Sequence, residues 1–142
     1  MSRTGSRFDF SEQTVVVTGG SRGIGREICE AFAEAGARVH ACGRRPLETP
    51  FEHEGISFES VDVRDAEATE TWLGRCASAT GGFDVLVNNA GGAPSVASAE
   101  ASPNLTKKIL ELNLTAPLIL SQQAHPHLLA RDRGGVIVNI VS

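Results

Sequence analysis

The segment Thr18–Gly25, which directly follows the apolar run Thr14–Val17, constrains the fold more than any other part of the sequence. A run of β-branched residues predicts a buried strand, and the glycines at 19, 23 and 25 let the chain turn sharply and approach a ligand closely. The helix that follows is indicated by apolar residues recurring every three or four positions, namely Ile24, Ile28, Phe32 and Ala35.

A strand, a glycine turn and a helix N-terminus in this order point free backbone N–H groups and the positive end of a helix dipole at one place. That arrangement suits a pyrophosphate. The spacing is Gly-x3-Gly-x-Gly, which differs from the G-x-G-x-x-G of the general dinucleotide-binding motif. Since glycines also close ordinary strand–helix connections, the turn alone leaves nucleotide binding and a plain structural turn as alternatives.

Length and composition indicate a single soluble globular domain, because the chain has 142 residues with 41% hydrophobic and 21% charged side chains. A net charge of −4 without a basic stripe argues against nucleic acid as a partner. No apolar run approaches the ~20 residues that a membrane span needs, and residues 1–11 lack the apolar centre of a signal peptide. We therefore expect a cytoplasmic protein.

Neither the cysteines nor the histidines have the spacing of a metal site. Cys29, Cys42 and Cys76 share no CxxC spacing and fall within apolar patterns, which predicts buried and reduced thiols. His125 and His127 lie two positions apart, so they do not share a helix face. The sequence thus predicts no metal site.

Five strands and three helices are predicted after a flexible lead-in of residues 1–11, in a single domain that covers residues 12–142. The strands are expected at 14–18, 38–43, 57–61, 84–88 and 136–141. The helices are expected at 23–35, at 66–79 with Asp65 as N-cap, and at 103–129 with Ser102 as N-cap. Pro117 and Pro126 are expected to kink or interrupt the last helix, whose inward stripe is Leu105, Ile109, Leu112, Ala116 and Leu120.

Strands that are apolar throughout, alternating with helices, predict an α/β fold with a doubly wound parallel sheet. Strands of this kind are expected to be buried on both faces. Ligands of such sheets bind beyond the carboxyl ends of the strands. The unusual polar features of this sequence all fall at those ends: Gly19–Gly25, Gly43–Arg45, Asp62, Asn89 and Ser142.

Five segments, in order and at the appropriate spacing, resemble the short-chain dehydrogenase/reductase family: Thr18–Gly25, Asp62-Val63, Asn88–Gly91, Asn113-Leu114 and Gly135–Ser142. The resemblance covers nearly the whole chain. It implies a Rossmann-type sheet, here truncated after the fifth strand, and hydride transfer between NAD(P) and a small-molecule alcohol or carbonyl substrate. It also implies a homo-oligomer, either a dimer or a tetramer.

The resemblance assigns a set of residues to the cofactor, and they come from four strand ends. The glycine turn would leave room for the pyrophosphate, Asp62 and Val63 would border the adenine, and Asn89–Gly91 would run along the nicotinamide-side ribose. Asp62 as a cap of the next helix, and Asn88 and Asn89 as ties within the sheet, remain alternatives. With Arg44 and Arg45, which are added because of their charge, the full set is Gly19, Ser21, Arg22, Gly23, Ile24, Gly25, Arg44, Arg45, Asp62, Val63, Asn89, Ala90 and Gly91.

The choice between NAD and NADP is a question of charge. An NAD enzyme places a carboxylate about 20 residues beyond the glycine turn, but that position is Gly43, followed by Arg44 and Arg45. Together with Arg22 in the turn, these arginines suit a 2′-phosphate, and the sequence predicts NADP(H). A solvated charge pair at Arg44 and Arg45 is the alternative.

For catalysis, the resemblance matches Ser142 to the serine that hydrogen-bonds the substrate, and Asn113 to the asparagine of a proton relay. A strand-end serine and a structural asparagine are the alternatives. The family's Tyr-x-x-x-Lys, which supplies the general acid, has no counterpart, because the sequence contains no tyrosine and Lys107 and Lys108 lie upstream.

We therefore expect the cofactor-binding front of a longer reductase, inactive on its own. The other hypotheses are a non-catalytic NADP(H)-binding or regulatory module, and an inert truncation product that does not fold stably.

Overall fold

The computed structural model describes residues 8–141, which form a parallel sheet and the helices that connect its strands. The strands are β1 (Thr14–Thr18), β2 (Arg38–Gly43), β3 (Ile56–Ser60), β4 (Val85–Asn88) and β5 (Val136–Asn139). The α-helices are α1 (Gly23–Glu34), α2 (Ala66–Ser78), α3 (Pro103–Leu110) and α4 (Ala116–Leu129). A 3₁₀ turn covers Ser98–Glu100, and a π-helical turn, Glu111–Thr115, joins α3 to α4.

The strands lie in the order β3-β2-β1-β4-β5 and all neighbours are parallel, which confirms the predicted doubly wound sheet. One face of β1 packs Val15 and Val17 against α1. Its other face packs Val16 into a cluster with residues of α2 and α4, among them Trp72 and Leu120. From β1 the chain adds β2 and β3 on one side of the sheet and then β4 and β5 on the other, and this change of side places a crevice beyond the carboxyl ends of β1 and β4.

The expectation that every strand is buried is confirmed for β1 and β4, but it is wrong for the edge strands β3 and β5, neither of which has a buried residue. Every residue of β1 and β4 is buried, whereas every residue of β5 is exposed, with Val136 at 55%. β5 is one of the two edge strands among the described residues and pairs with β4 alone. Neither hydrophobic cluster of the described residues includes a residue of β5, whereas both include residues of β1.

The inward face of α1 differs from the predicted stripe. Gly25, Cys29 and Ala33 are buried against the sheet, whereas Ile24 is 66% exposed. Small residues let the helix approach β1 closely, and the bulkier apolar side chains flank this contact. The buried face of α1 is therefore shifted by one residue from the face that apolar side-chain size predicted.

The last predicted helix is two α-helices joined by the π-helical turn. Ser102 caps it as predicted, since its hydroxyl accepts a hydrogen bond from Leu105 N. The π-helical turn directly precedes Pro117, which has no N–H for an α-helical hydrogen bond. Pro126 neither ends nor interrupts α4, which continues to Leu129. Both Pro126 and Gln122, whose carbonyl loses its donor, are exposed, so water can solvate that carbonyl.

Packed structure also reaches into the predicted lead-in. The Phe10 ring meets Phe32 edge to face at 4.9 Å, and Phe10 N donates to the carbonyl oxygen of Ala35. Residues 8–11 therefore lie against the end of α1, which is inconsistent with flexibility at Phe10.

Candidate functional site

A cleft of about 510 Å³ opens beyond the carboxyl ends of the central strands. All thirteen residues predicted to bind the cofactor line this one cleft, although they come from four separate parts of the chain. They are Gly19, Ser21, Arg22, Gly23, Ile24, Gly25, Arg44, Arg45, Asp62, Val63, Asn89, Ala90 and Gly91. The parallel sheet brings them together because the carboxyl ends of its strands share one edge.

The glycine turn forms the floor of the cleft between β1 and α1. Gly23 has a φ of +55° and no atom within 4 Å of where a Cβ would stand, so its backbone conformation and not crowding favours glycine there. Gly25 is the opposite case, because a Cβ there would overlap the carbonyl oxygen of Gly19 and Nδ2 of Asn89.

The first turn of α1 faces the cleft without a side-chain cap. Arg22 occupies the N-cap position with extended backbone, and its side chain makes no capping hydrogen bond. The N–H groups of a first helical turn have no partners within the helix, so a bound anion can accept their hydrogen bonds. This turn and the space at Gly23 fit the pyrophosphate of a dinucleotide.

A hydrogen-bonded strut joins the ends of β1 and β4. The Thr18 hydroxyl accepts hydrogen bonds from the backbone N–H groups of Asn89 (3.1 Å) and Ala90 (3.0 Å). In return, Nδ2 of Asn89 donates to the carbonyl oxygens of Thr18 and Gly19, both at 3.2 Å. The interpretation of Asn89 as a tie within the sheet is therefore correct, and the same residue lines the cleft.

Asp62 is held by Arg64 at the exit of β3. Arg64 donates through Nε to Oδ1 (3.0 Å) and through Nη2 to Oδ2 (2.6 Å) of this carboxylate. These hydrogen bonds hold the pKa of Asp62 below its usual value, against the opposing effect of partial burial. The cap of α2 is Asp65, whose Oδ1 accepts from Ala68 N, so the alternative of Asp62 as that cap is wrong.

The cleft carries an excess of positive charge. Four arginines line it, namely Arg22, Arg44, Arg45 and Arg64, against the two carboxylates Glu48 and Asp62. Arg64 is neutralised by Asp62, whereas the other arginines form none of the ion pairs found within residues 8–141. The three unpaired cations suit a ligand that bears several phosphate charges.

Asn113 does not line the cleft, and it fastens the irregular segment that follows β4. Its Oδ1 accepts from Gly92 N at 2.8 Å, and its Nδ2 donates to the carbonyl oxygens of Gly92 and Ile109, both at 2.9 Å. Both amide hydrogens are thus engaged within the fold. Ser142, the other predicted catalytic residue, lies outside the described residues.

Sequence reasoning missed Arg64, Glu48 and Leu112, which also line the cleft. A signal for Arg64 was available, because an arginine two positions after a strand-end aspartate can reach that carboxylate. Glu48 stands five residues beyond Gly43 in an irregular segment, and no periodic pattern marks it. Leu112 was predicted to face inward as part of a helix stripe, and it both packs against the core and lines the cleft.

The buried thiols and the histidines form no metal centre in the described part of the chain, where no group of three potential metal ligands occurs. The three cysteines are free and buried. Burial raises the pKa of Cys29 and of Cys76 to about 12. Within residues 8–141, no helix has the length and apolarity needed to span a membrane.

Comparison with known proteins decides the family. The family model described as short chain dehydrogenase matches residues 13–142 of this sequence. The chain belongs to the short-chain dehydrogenase family.

Relatives of this family resemble the chain in sequence and in structure. L-fucose dehydrogenase of Mus musculus is 40% identical over 139 residues, which cover 94% of this chain and 50% of the relative. Aldohexose dehydrogenase of Thermoplasma acidophilum, solved in ligand-free form, superposes with a TM-score of 0.84 at 29% identity and covers 95% of this chain and 51% of that one. A short-chain dehydrogenase/reductase of Serratia marcescens gives a TM-score of 0.79 at 28% identity, over 94% of this chain and 59% of that one.

The chain spans about half the length of these short-chain dehydrogenases. The shared half contains the cleft described above, from the glycine turn to the end of β4. Proteins of the family use nicotinamide cofactors and act on small molecules, and many are oligomeric. The sequence-based assignment to the family and to a Rossmann-type sheet is confirmed.

Proposed function

We propose that the cleft binds NADP(H) and that this chain is the cofactor-binding part of an oxidoreductase acting on an alcohol or carbonyl substrate. The observation that carries the proposal is the position of Arg44 and Arg45 on the wall of the glycine-turn cleft, without carboxylate partners in residues 8–141. Their planar guanidinium groups can each donate two hydrogen bonds to a 2′-phosphate.

Each part of the cleft has a role in holding the cofactor. The first turn of α1 and the glycine turn would bind the pyrophosphate, while Asp62 and Val63 would border the adenine. Asn89, Ala90 and Gly91 would position the nicotinamide half beside the end of β4. When bound, the cofactor supplies the hydride that is exchanged with the substrate carbon. The residues of this chain would exclude water and orient the nicotinamide half of the cofactor.

Two residues are proposed to act at the substrate oxygen and in the transfer of its proton. Ser142 would hydrogen-bond the substrate oxygen. Asn113 would support a proton relay through its backbone carbonyl, because Pro117 lacks the N–H that would bind this carbonyl in a regular α-helix. Its side-chain amide is occupied by Gly92 and Ile109, which leaves the backbone as the available group.

A second candidate is a chain that binds NADP(H) without chemistry of its own. These 142 residues form the cleft but include no tyrosine, the residue type that supplies the general acid in the family. We also propose that the protein acts in the cytoplasm and assembles as a dimer or tetramer. Sedimentation of the purified chain tests the assembly.

Calorimetric titration of the chain with NADPH and with NADH tests the proposed cofactor. We expect tighter binding of NADPH, and we expect the double substitution Arg44→Ser with Arg45→Ser to weaken NADPH binding about tenfold or more while NADH changes little. Arg38→Ser is the matched control, because this exposed arginine begins β2 at the opposite end of the sheet. Equal or tighter binding of NADH by the unmodified chain contradicts the proposal.

A further inference from the structure

The segment 44–52, which follows β2 and carries Arg44 and Arg45 into the cleft, packs Phe51 against the core and receives its hydrogen bonds from one side chain. Within residues 8–141, its hydrogen bonds to the rest of the chain both come from Arg26. Nη1 donates to the carbonyl oxygen of Thr49 at 2.7 Å, and Nη2 donates to that of Pro50 at 2.9 Å. Among the residues that the structure describes, no backbone-to-backbone hydrogen bond involves residues 44–52.

Arg26 is itself held in a fixed orientation. It follows Gly25 in the first turn of α1, and its Nε donates to Oε1 of Glu30, one helical turn further on, at 2.9 Å. Its guanidinium carbon lies 4.3 Å from the centroid of the Phe51 ring, and its side chain is only 20% exposed. All three guanidinium nitrogens and one face of the group are therefore used in contacts.

These contacts close a short strap over the side of the cleft. One end of the strap is fixed at Gly43, whose carbonyl oxygen accepts from Val61 N at 3.0 Å. The other end is fixed at residues 49–51 by Arg26. Between the two anchors lie the cleft-lining residues Arg44, Arg45 and Glu48. A flexible strap would have to lose conformational freedom when its arginines bind a phosphate, whereas an anchored strap has lost part of it already.

We propose that Arg26 is a positioning residue that sets the preference for a 2′-phosphorylated cofactor by anchoring the strap that carries Arg44 and Arg45. This inference rests on the proposed function, and it extends that function to a residue that does not line the cleft. NADH lacks the 2′-phosphate, so its binding gains little from the anchored arginines. The loss of the anchor therefore lowers the affinity for NADPH more than the affinity for NADH.

Lysine cannot replace this arginine, although it conserves the charge. An ammonium group is a compact point charge without a flat face, whereas Arg26 donates to three acceptors in one plane and stacks on Phe51. Arg26→Lys therefore removes the geometry of the anchor and retains its electrostatic contribution to the cleft. Any loss of selectivity in this variant is due to positioning.

The test compares the unmodified chain, Arg26→Lys and the control Arg75→Lys. Arg75 also donates through two of its nitrogens, Nε and Nη2, to a carboxylate, that of Glu59. Neither Arg75 nor Glu59 lines the cleft. In calorimetry, we expect Arg26→Lys to weaken NADPH binding about five- to tenfold and NADH binding less than twofold. In the absence of cofactor, we expect a glutamate-specific protease to cleave Arg26→Lys at Glu48 and Glu52 several times faster than it cleaves the other two proteins.

Outcomes of this test distinguish the inference from the function it rests on. If Arg44→Ser with Arg45→Ser lowers the NADPH-to-NADH affinity ratio while Arg26→Lys leaves it within twofold, the inference is wrong and the proposed function stands. If the unmodified chain prefers NADH, both are wrong. Unchanged cleavage at Glu48 and Glu52 also overturns the inference. Should Arg26→Lys not fold, Phe51→Leu removes the stacked ring, keeps an apolar side chain against the core, and must shift the affinity ratio and the cleavage rate in the same direction.

Discussion

Asn89 donates a hydrogen bond through Nδ2 to the carbonyl oxygen of Gly19 over 3.2 Å, and thereby fixes the end of β4 against the glycine turn after β1. These two residues are 70 positions apart in sequence and meet at the point where the sheet reverses its winding. The crevice beside them is therefore shaped by the fold itself. A cofactor that enters it meets a backbone that is already in place, which lowers the entropic cost of binding.

We expect Gly25→Ala to destabilise the fold and to abolish NADPH binding. The added methyl group would overlap the Gly19 carbonyl oxygen and Nδ2 of Asn89, neither of which can withdraw without breaking the contact between β1 and β4. Overpacking of this kind costs about 1–3 kcal/mol. Denaturant unfolding measures the loss of stability, and calorimetry with NADPH measures the loss of binding.

Gly74→Ala is the matched control for that substitution. Gly74 lies inside α2, and a Cβ there would meet no atom within 4 Å. Alanine is a better helix former, so we expect stabilisation by about 0.5–1 kcal/mol and unchanged NADPH binding. Similar losses in both variants would show that the crowding at Gly25 is not the cause.

Removal of the Thr18 hydroxyl should weaken the hydrogen-bonded strut that joins the ends of β1 and β4. In Thr18→Val, the backbone N–H groups of Asn89 and Ala90 lose their acceptor at a site where Thr18 is only 1% exposed. Leaving buried donors unsatisfied costs about 1–3 kcal/mol. Thr18→Ser keeps the oxygen and should recover most of that stability in denaturant unfolding. A serine variant as unstable as the valine variant would contradict the role of the hydroxyl.

The residues that line the cleft could be predicted from the sequence because each signal is local. The glycines at 19, 23 and 25 mark a turn by their own spacing, and Asp62 and Asn89 each follow an apolar strand directly. The parallel sheet then supplies the long-range part of the prediction, since it collects all strand ends at one edge. No knowledge of side-chain contacts was needed for this step.

Other features could not be predicted because they depend on contacts between distant residues. The anchoring of residues 49–51 by Arg26 requires a specific approach of α1 to the segment after β2, and no periodicity encodes it. The packing of α1 through Gly25, Cys29 and Ala33 was hidden because small residues carry little hydrophobic signal. Continuation of α4 through Pro126 depends on which side of the helix faces water.

The Asp62–Arg64 pair should be visible as a depressed carboxyl pKa. The hydrogen bonds from Arg64 lower the pKa of Asp62 below its usual value of 3.8. A ¹³C NMR titration of this carboxyl should therefore give a midpoint below 3.8 in the folded chain, and Arg64→Gln should raise it toward that value. An Asp62 midpoint that does not move in Arg64→Gln would contradict the assignment.

The lowered pKa of Asp62 also determines how the stability of the fold changes with pH. Since the pKa of Asp62 is lower in the folded than in the unfolded chain, the pair stabilises the fold above the unfolded pKa, and this contribution is lost as the pH falls through the folded pKa. Both side chains are about a third exposed, so solvent screening limits the contribution to at most ~1 kcal/mol. The stability difference between the unmodified chain and Asp62→Asn should shrink below pH 4.

The buried thiols should be inert in the folded chain. Burial raises the pKa of Cys29 and of Cys76 to about 12, and it raises that of Cys42 as well, so few thiolates exist at pH 8. We expect Ellman's reagent to label fewer than one of the three cysteines quickly at pH 8, and all three once guanidinium unfolds the chain. Since the raised pKa values favour the neutral thiols of the folded state, the free energy of unfolding should fall as the pH rises above the unfolded thiol pKa of about 8.5. Rapid labelling of any one thiol in the native chain would show that the core between β2 and its flanking helices opens far more readily than its packing indicates.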